Sequence, residues 1–181
     1  MSFAVKFLFI SMLLFVSCTH PPVQPREEFA IIDNILIKTN QKLAREGFYE
    51  RGSGGSYVPD IRSIIELYAT NRYRFQSIDD TRLFFCKFFD DFVRPLNAEK
   101  RIRPLLHTYP LTPQIVSLRV SFVDDQREYL PPPYIASVAI IKGNICYFTM
   151  DSETDRLKII HTESFERAQN IYKASIIAQG V

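Results

Sequence analysis

The chain has 181 residues, of which 46% are hydrophobic and 23% are charged. This length and apolar content suit one domain with one core and exclude two domains of ordinary size. The formal net charge is only +2, whereas proteins that bind nucleic acid usually carry a marked excess of Lys and Arg, so no nucleic-acid partner is expected.

The first 17 residues have the pattern of a secretory signal. Lys6 is their only charged side chain, and residues 7–16 form an apolar segment that is too short for a stable spanning helix. Residues 15–18, Phe-Val-Ser-Cys, resemble the lipobox of bacterial lipoprotein precursors, although Phe15 stands where an aliphatic residue is usual. The resemblance covers residues 1–18 only.

This resemblance implies that Cys18 is a lipid anchor. In such precursors the thiol receives a diacylglyceryl group, cleavage makes the cysteine the first mature residue, and its amine is usually acylated as well. Two or more acyl chains hold a protein on a membrane almost irreversibly, because each buried methylene contributes about 0.8 kcal/mol. Thr19 replaces the aspartate that retains many such proteins at the inner membrane, so the outer membrane is favoured. The alternative is that Cys18 is a thiol that follows an apolar run by chance.

The anchor would divide the chain into three parts. Residues 1–17 are the signal peptide, residues 18–26 are the lipid-anchored cysteine with a Pro-rich linker, and residues 27–181 are a single domain. Proline disfavours helix formation in the residue before it, so we expect an extended linker.

The domain begins with a predicted helix over residues 27–46. Its apolar positions recur at three- and four-residue steps and predict one buried stripe, formed by Phe29, Ile32, Leu36, Thr39 and Leu43. Residues 51–60, RGSGGSYVPD, have the composition of a flexible loop. Residues 61–70 are rich in β-branched and aromatic side chains and predict a strand.

A second helix is predicted from Ser77, whose hydroxyl can cap the first turn. Its apolar side comprises Ile78, Phe85, Phe88, Phe89, Phe92, Val93 and Leu96, and charged residues including Lys87, Asp91 and Arg94 fall on the other side. Pro95 is expected to loosen or end this helix.

Four strands and a helix follow. Residues 116–122 alternate apolar and polar side chains, and residues 134–141 are nearly all apolar, which is typical of a central strand. Lys142, Gly143 and Asn144 predict a tight hairpin into residues 145–150. Residues 151–155 turn the chain into a strand over residues 157–161, and a helix over residues 163–178 completes the domain.

The predicted order is therefore α-β-α-β-β-β-β-α. It indicates an α+β domain with a mostly antiparallel sheet of four to five strands and about three helices packed on one face. Three segments, IRPLLHTYPLTPQ, PPPYIA and DSETDRLK, resemble stretches of uncharacterised bacterial exported proteins. That resemblance implies no activity.

The two remaining cysteines suggest a possible disulfide. Cys86 lies at the edge of the Phe-rich helix side, and Cys146 alternates with Phe148 and Met150 along a strand, so both are predicted to face the same layer. An exported protein can form such a bridge. The alternative is that both are small buried apolar groups.

Catalytic chemistry has little support in the sequence. The histidines are His20, His107 and His161, and no catalytic or metal-binding motif surrounds them. We therefore assign no catalytic residue, metal or cofactor. The leading hypothesis is a non-enzymatic envelope protein, anchored through Cys18, that binds another macromolecule such as an envelope protein. The alternative is a periplasmic enzyme or small-ligand-binding domain with a cleft between the 51–60 loop and the sheet, near His107 and Tyr109.

Overall fold

The computed structural model describes residues 29–57 and 60–178, which form a mixed α+β fold with one six-stranded sheet. The helices are α1 (Ala30–Arg45), α2 (Ile78–Ala98) and α3 (Phe165–Ala178), with a 3₁₀ helix at Lys100–Leu105. The strands are β1 (Phe48–Ser56), β2 (Ser63–Thr70), β3 (Val116–Phe122), β4 (Ser137–Ile141), β5 (Asn144–Asp151) and β6 (Arg156–Ser164). The predicted α+β class is confirmed.

The strands lie in the sheet in the order of the sequence, from β1 at one edge to β6 at the other. Every neighbouring pair is antiparallel except β2 and β3, which are parallel. Parallel neighbours need a long crossover, and here α2 and the 3₁₀ helix supply it. The sheet is mostly antiparallel, as predicted, but it has one strand more than the four to five expected.

The additional strand corrects the predicted loop at residues 51–60. Residues 51–56 belong to β1 and pair with β2, from Gly52 opposite Leu67 to Ser56 opposite Ser63. Most of these β1 side chains are exposed, so the strand depends on backbone pairing rather than on apolar burial. A Cβ atom at Gly55 would lie 2.4 Å from the carbonyl oxygen of Ser63. Glycine is therefore required by the close approach of β2 and does not mark a loop.

Both long helices bury the stripes that their periodicity predicts, except that Ile78 at the start of α2 is only partly buried. The five α1 stripe positions, from Phe29 to Leu43, are all buried. On α2 the Ser77 hydroxyl accepts a hydrogen bond from the backbone N–H of Asp80 at 3.2 Å, as expected for a cap. Pro95 was predicted to loosen or end this helix. The helix continues past Pro95 and ends at Ala98, which is less than one turn beyond the proline. These stripes pack with one sheet face into the main core.

A buried ion pair joins α2 to β6, the strand at one edge of the sheet. The guanidinium of Arg82 donates to the carboxylate of Glu163 at 2.7 Å, and the hydroxyl of Tyr147 donates to the same oxygen at 2.7 Å. Both charged side chains are buried. Because the carboxylate accepts two short hydrogen bonds, its burial is compensated, and the contact fixes α2 over β5 and β6.

The two cysteines lie in different apolar clusters. Cys86 is in the main core, whereas Cys146 packs with Ala139 and Phe148 in a small cluster of its own. Side chains alternate along β5, and Tyr147 faces the main core, so the prediction that both cysteines face one layer is wrong. Both are buried free thiols, and the fold does not bring them together for the disulfide considered above.

Candidate functional site

The main candidate site is a cleft between α1 and α2, which we call the helix cleft. Its volume is about 770 Å³, within the range of roughly 300–1,000 Å³ that is usual for ligand pockets. Apolar side chains dominate its floor and walls: Ile35, Leu43, Phe48, Tyr73, Phe84, Phe88, Phe92, Pro95 and Ala98. The remaining lining residues are Thr39 and seven charged side chains at the mouth.

The floor of the helix cleft is an aromatic cluster. Phe84, Phe88 and Phe92 follow one another at four-residue steps along α2 and so lie on one side of that helix. The ring centroids of Phe48 and Phe88 are 4.9 Å apart, and those of Tyr73 and Phe84 are 4.8 Å apart. Rings at such distances pack favourably, so the floor is built from well-fixed side chains.

The α1 wall carries apolar and charged residues side by side. Ile35, Thr39 and Leu43 repeat every four residues, and the exposed Lys38 and Lys42 lie one position earlier in each turn. The Thr39 hydroxyl donates to the carbonyl oxygen of Ile35 at 2.9 Å. Its polarity is therefore satisfied within the helix, and the wall offers mainly apolar contact below a basic rim.

The α2 rim contains a small ion network. Lys87 donates to Asp91 at 2.5 Å, and Arg94 lies 3.0 Å from the same carboxylate. The hydrogen bond that Lys87 donates to Asp91 raises the pKa of Lys87. At the end of the rim, Arg101 forms two 2.8 Å hydrogen bonds with Glu99 and lowers the pKa of that carboxyl to about 2.

The lining residues of the helix cleft indicate which kind of molecule it could hold. An apolar floor under a charged rim suits a molecule with an apolar body and a polar end. Within the described ranges, no group of three or more His, Cys, Asp or Glu side chains is placed to hold a metal ion. In the same part of the chain, no helix has the length and apolar character needed to cross a bilayer.

An alternative cleft was predicted near His107. In the structure His107 instead forms an exposed hydrogen-bonded pair with Asp60. His107 Nδ1 lies 2.7 Å from a carboxylate oxygen of Asp60, and Arg62 donates to the other oxygen at 2.8 Å. These two hydrogen bonds, with Arg62 contributing most, lower the pKa of Asp60. The His107 side chain is 56% exposed, so this acid–base pair is open to water.

Tyr109 does not join that pair. Its hydroxyl donates to the carbonyl oxygen of Asn97 at 3.0 Å, and the Arg103 guanidinium lies 4.8 Å from its ring centroid. Neither the helix cleft nor a second pocket at the start of α2 is lined by Tyr109 or His107.

Cys18, the predicted lipid anchor, lies outside the described residues.

A second surface of interest is the sheet face opposite the helices, which we call the open face. Ile65, Ile141 and Ile159 are 39%, 40% and 52% exposed on it. Nearer its centre, the Arg119 guanidinium lies 5.3 Å from the ring centroid of Phe148. The open face therefore combines exposed apolar side chains with a charged one.

Sequence reasoning missed the helix cleft because the cleft depends on two helices at once. The sequence placed Lys87, Asp91 and Arg94 on the charged side of α2, but it did not show that they line the mouth of a cleft with α1. One available signal was the spacing of Lys38 and Lys42, which places two cations beside the buried stripe of α1.

Comparison of the chain with family models, with curated proteins and with solved structures found no match.

Proposed function

We propose that this chain is a lipid-anchored protein of the bacterial envelope whose domain is a non-enzymatic binding module, with the ligand held in the helix cleft. The observation that carries the binding role is the cleft itself, with its aromatic floor and volume of about 770 Å³. The anchoring role is supported by the lipobox-like residues 15–18 and by the Pro-rich linker that follows.

The size of the helix cleft suits a small molecule or, at most, about two turns of helix. A helix with its side chains is about 10 Å wide, so 770 Å³ corresponds to about 10 Å of helix, or about seven residues. Helices docked in protein grooves use anchors spread over i, i+3, i+4 and i+7, which span about 10 Å along the helix axis. Such a helix would need the whole length of the cleft, whereas one small apolar molecule fits within it.

Photolabelling tests the proposed site. The full-length chain, reconstituted in lipid vesicles, would be exposed to an uncharged alkyl alcohol that carries a diazirine, and the labelled residues mapped by mass spectrometry. We expect label on the lining residues of α1 and α2. Ala98→Trp fills one end of the cleft and should reduce that label at least several-fold, whereas Ile159→Trp on the open face should not. Thermal melts would confirm that both variants fold.

Label spread evenly over the chain, or concentrated on the open face, would remove the helix cleft as the binding site. Equal labelling of the Ala98→Trp variant and the unchanged chain would do the same.

A second candidate function is the docking of an envelope protein on the open face. It is favoured by the exposed isoleucines at positions 65, 141 and 159. A photoreactive amino acid at position 159 in intact cells should then capture one defined partner, and an equivalent residue at exposed position 166 of α3 should not. Identical crosslinking patterns at the two positions would eliminate this candidate.

A further inference from the structure

We infer that the ligand of the helix cleft is an anionic amphiphile: a molecule with an apolar body and one acidic head group, either a carboxylate or a phosphate. This inference rests on the proposed function, because it names the chemistry of the molecule bound at the same site. It is carried by the distribution of charge at the cleft mouth.

The mouth carries more positive than negative charge. Its basic side chains are Lys38, Lys42, Lys87 and Arg94, and its carboxylates are Glu46, Asp91 and Glu99. Glu99 is neutralised from outside the cleft by its two hydrogen bonds to Arg101. Four basic side chains therefore face two remaining carboxylates, which leaves an excess of two positive charges. The whole sequence has a formal net charge of only +2, so this excess is a local concentration of charge.

The two α1 lysines are the groups best placed to meet an acidic head group. Lys38 has no ion-pair partner among the described residues, and Lys42 is 3.8 Å from Glu46, with both of those side chains largely exposed. In contrast, Lys87 and Arg94 share Asp91 at short distances. An exposed pair at 3.8 Å contributes little, so an incoming anion could recruit both α1 lysines without breaking a strong interaction.

The arrangement also orients the ligand. Lysine has an apolar stem and a charged end that seeks water, so Lys38 and Lys42 extend the apolar wall and place their ammonium groups at the rim. An alkyl or aromatic body would lie over Phe88 and Phe92 while its head group stays at the mouth. A cationic head group would meet the positive excess and be disfavoured, and an uncharged one would gain only the apolar contact.

A competition series tests the head group. Full-length chain in vesicles is labelled with the same uncharged diazirine alcohol, and the label on the cleft residues is competed with dodecanoate, dodecyl phosphate, dodecanol or dodecyltrimethylammonium. We expect either anion to compete at a concentration about five- to tenfold below that of dodecanol, because each exposed charge contact contributes up to about 1 kcal/mol. The cation should compete least. The ratio between the two anions then identifies the head group.

Variants assign this preference to named residues. Lys38→Gln combined with Lys42→Gln should weaken competition by the anions about fivefold and leave competition by dodecanol unchanged. Lys158→Gln, which removes a lysine from β6 at the other edge of the sheet, is the matched control and should change neither. Added salt should reduce the preference for anions.

The outcomes separate the inference from the proposed function. Equal competition by all four head groups would overturn the anionic specificity and leave the helix cleft as an apolar binding site. An unchanged preference in the double lysine variant would also overturn the inference. A failure of every compound to reduce label on the cleft residues would overturn both.

Discussion

Glu66 is a buried carboxyl group, and its burial disfavours the negative charge that an exposed glutamate carries. It is 1% exposed on the helix side of β2. The Tyr68 hydroxyl lies 3.3 Å from its carboxylate but also 2.5 Å from Asn40 Oδ1, and Tyr68 has only one proton to donate. With that proton given to Asn40, a protonated Glu66 can donate to the Tyr68 oxygen. Burial, followed by the nearby charge of Glu50, raises the pKa of Glu66 to about 7.

This pKa predicts a specific dependence of stability on pH. The folded chain keeps the Glu66 proton up to about pH 7, whereas the unfolded chain releases it near 4.5. The contribution of Glu66 to the free energy of unfolding is therefore fully present below pH 4.5 and is lost as the pH rises through 7. Its size is about 3 kcal/mol, because the pKa of Glu66 is about 7 in the folded chain and 4.5 in the unfolded chain.

Urea unfolding at pH 5 and pH 8 measures this effect. We expect Glu66→Gln to lose less stability between the two pH values than the unchanged chain does, and to be the more stable of the two at pH 8. Glu166→Gln, at an exposed position on α3, is the control and should follow the unchanged chain. Parallel pH profiles for all three proteins would contradict the raised pKa.

At the scale of elements, β1 shows that a glycine-rich segment can form a strand when it pairs closely with a neighbouring strand. Gly54 and Gly55 are neighbours in β1, but a Cβ atom on Gly54 meets nothing within 4 Å, whereas one on Gly55 would lie 2.4 Å from a backbone oxygen of β2. Gly55→Ala must therefore push the two strands apart. We expect it to lower the free energy of unfolding by about 1–3 kcal/mol, and Gly54→Ala to change it by less than about 0.5 kcal/mol.

Chemical denaturation of the two variants, side by side, checks this prediction. Hydrogen exchange of the β1 and β2 amides should also quicken in the Gly55→Ala variant alone. If the two alanine variants behave alike, the pairing of residues 54–56 with β2 is not as described.

The elements differ in how far the sequence predicts them. The stripes of α1 and α2 follow from local periodicity, because residues three and four apart share a helix side wherever the helix packs. The pairing of β1 depends on β2 instead, and Gly-Ser composition near Gly55 gives no local sign of it. The separation of Cys86 and Cys146 likewise depends on which face of β5 meets the helices, and period-two alternation alone leaves that face undetermined.

In the candidate site, too, local periodicity predicts some features, whereas others depend on how the helices pack. Phe88 and Phe92 were predicted as buried positions of α2, and Lys87 and Arg94 as charged positions on its other side. Their meeting with Lys38 around one cleft depends on the angle between α1 and α2, which neither helix encodes by itself. His107 was singled out from the sequence, but its hydrogen bond to Asp60 required the structure.

At the scale of the whole molecule, the proposed function combines an anchor with a cleft. Acylation of Cys18 would hold the domain at a membrane, and the eight residues from 19 to 26 span at most about 28 Å. A cleft that binds amphiphiles would then work close to the surface where amphiphiles are most concentrated. Its action should depend on position in the cell more than on any acid–base group of the domain.

Two variants, studied in the source cell, test whether function requires the lipid anchor at Cys18 or the imidazole of His107. Cys18→Ser removes the acylated thiol, so we expect no incorporation of a palmitate analogue and loss of the cellular phenotype, because the domain is no longer held as a lipoprotein. His107→Ala removes the imidazole that faces Asp60 at an exposed position, and we expect it to remain acylated and to complement fully. Membrane fractionation and thermal melts confirm location and folding. Complementation by Cys18→Ser together with failure of His107→Ala would reject the anchored binding module, since the essential group would then be the His107–Asp60 pair and an enzymatic role would follow.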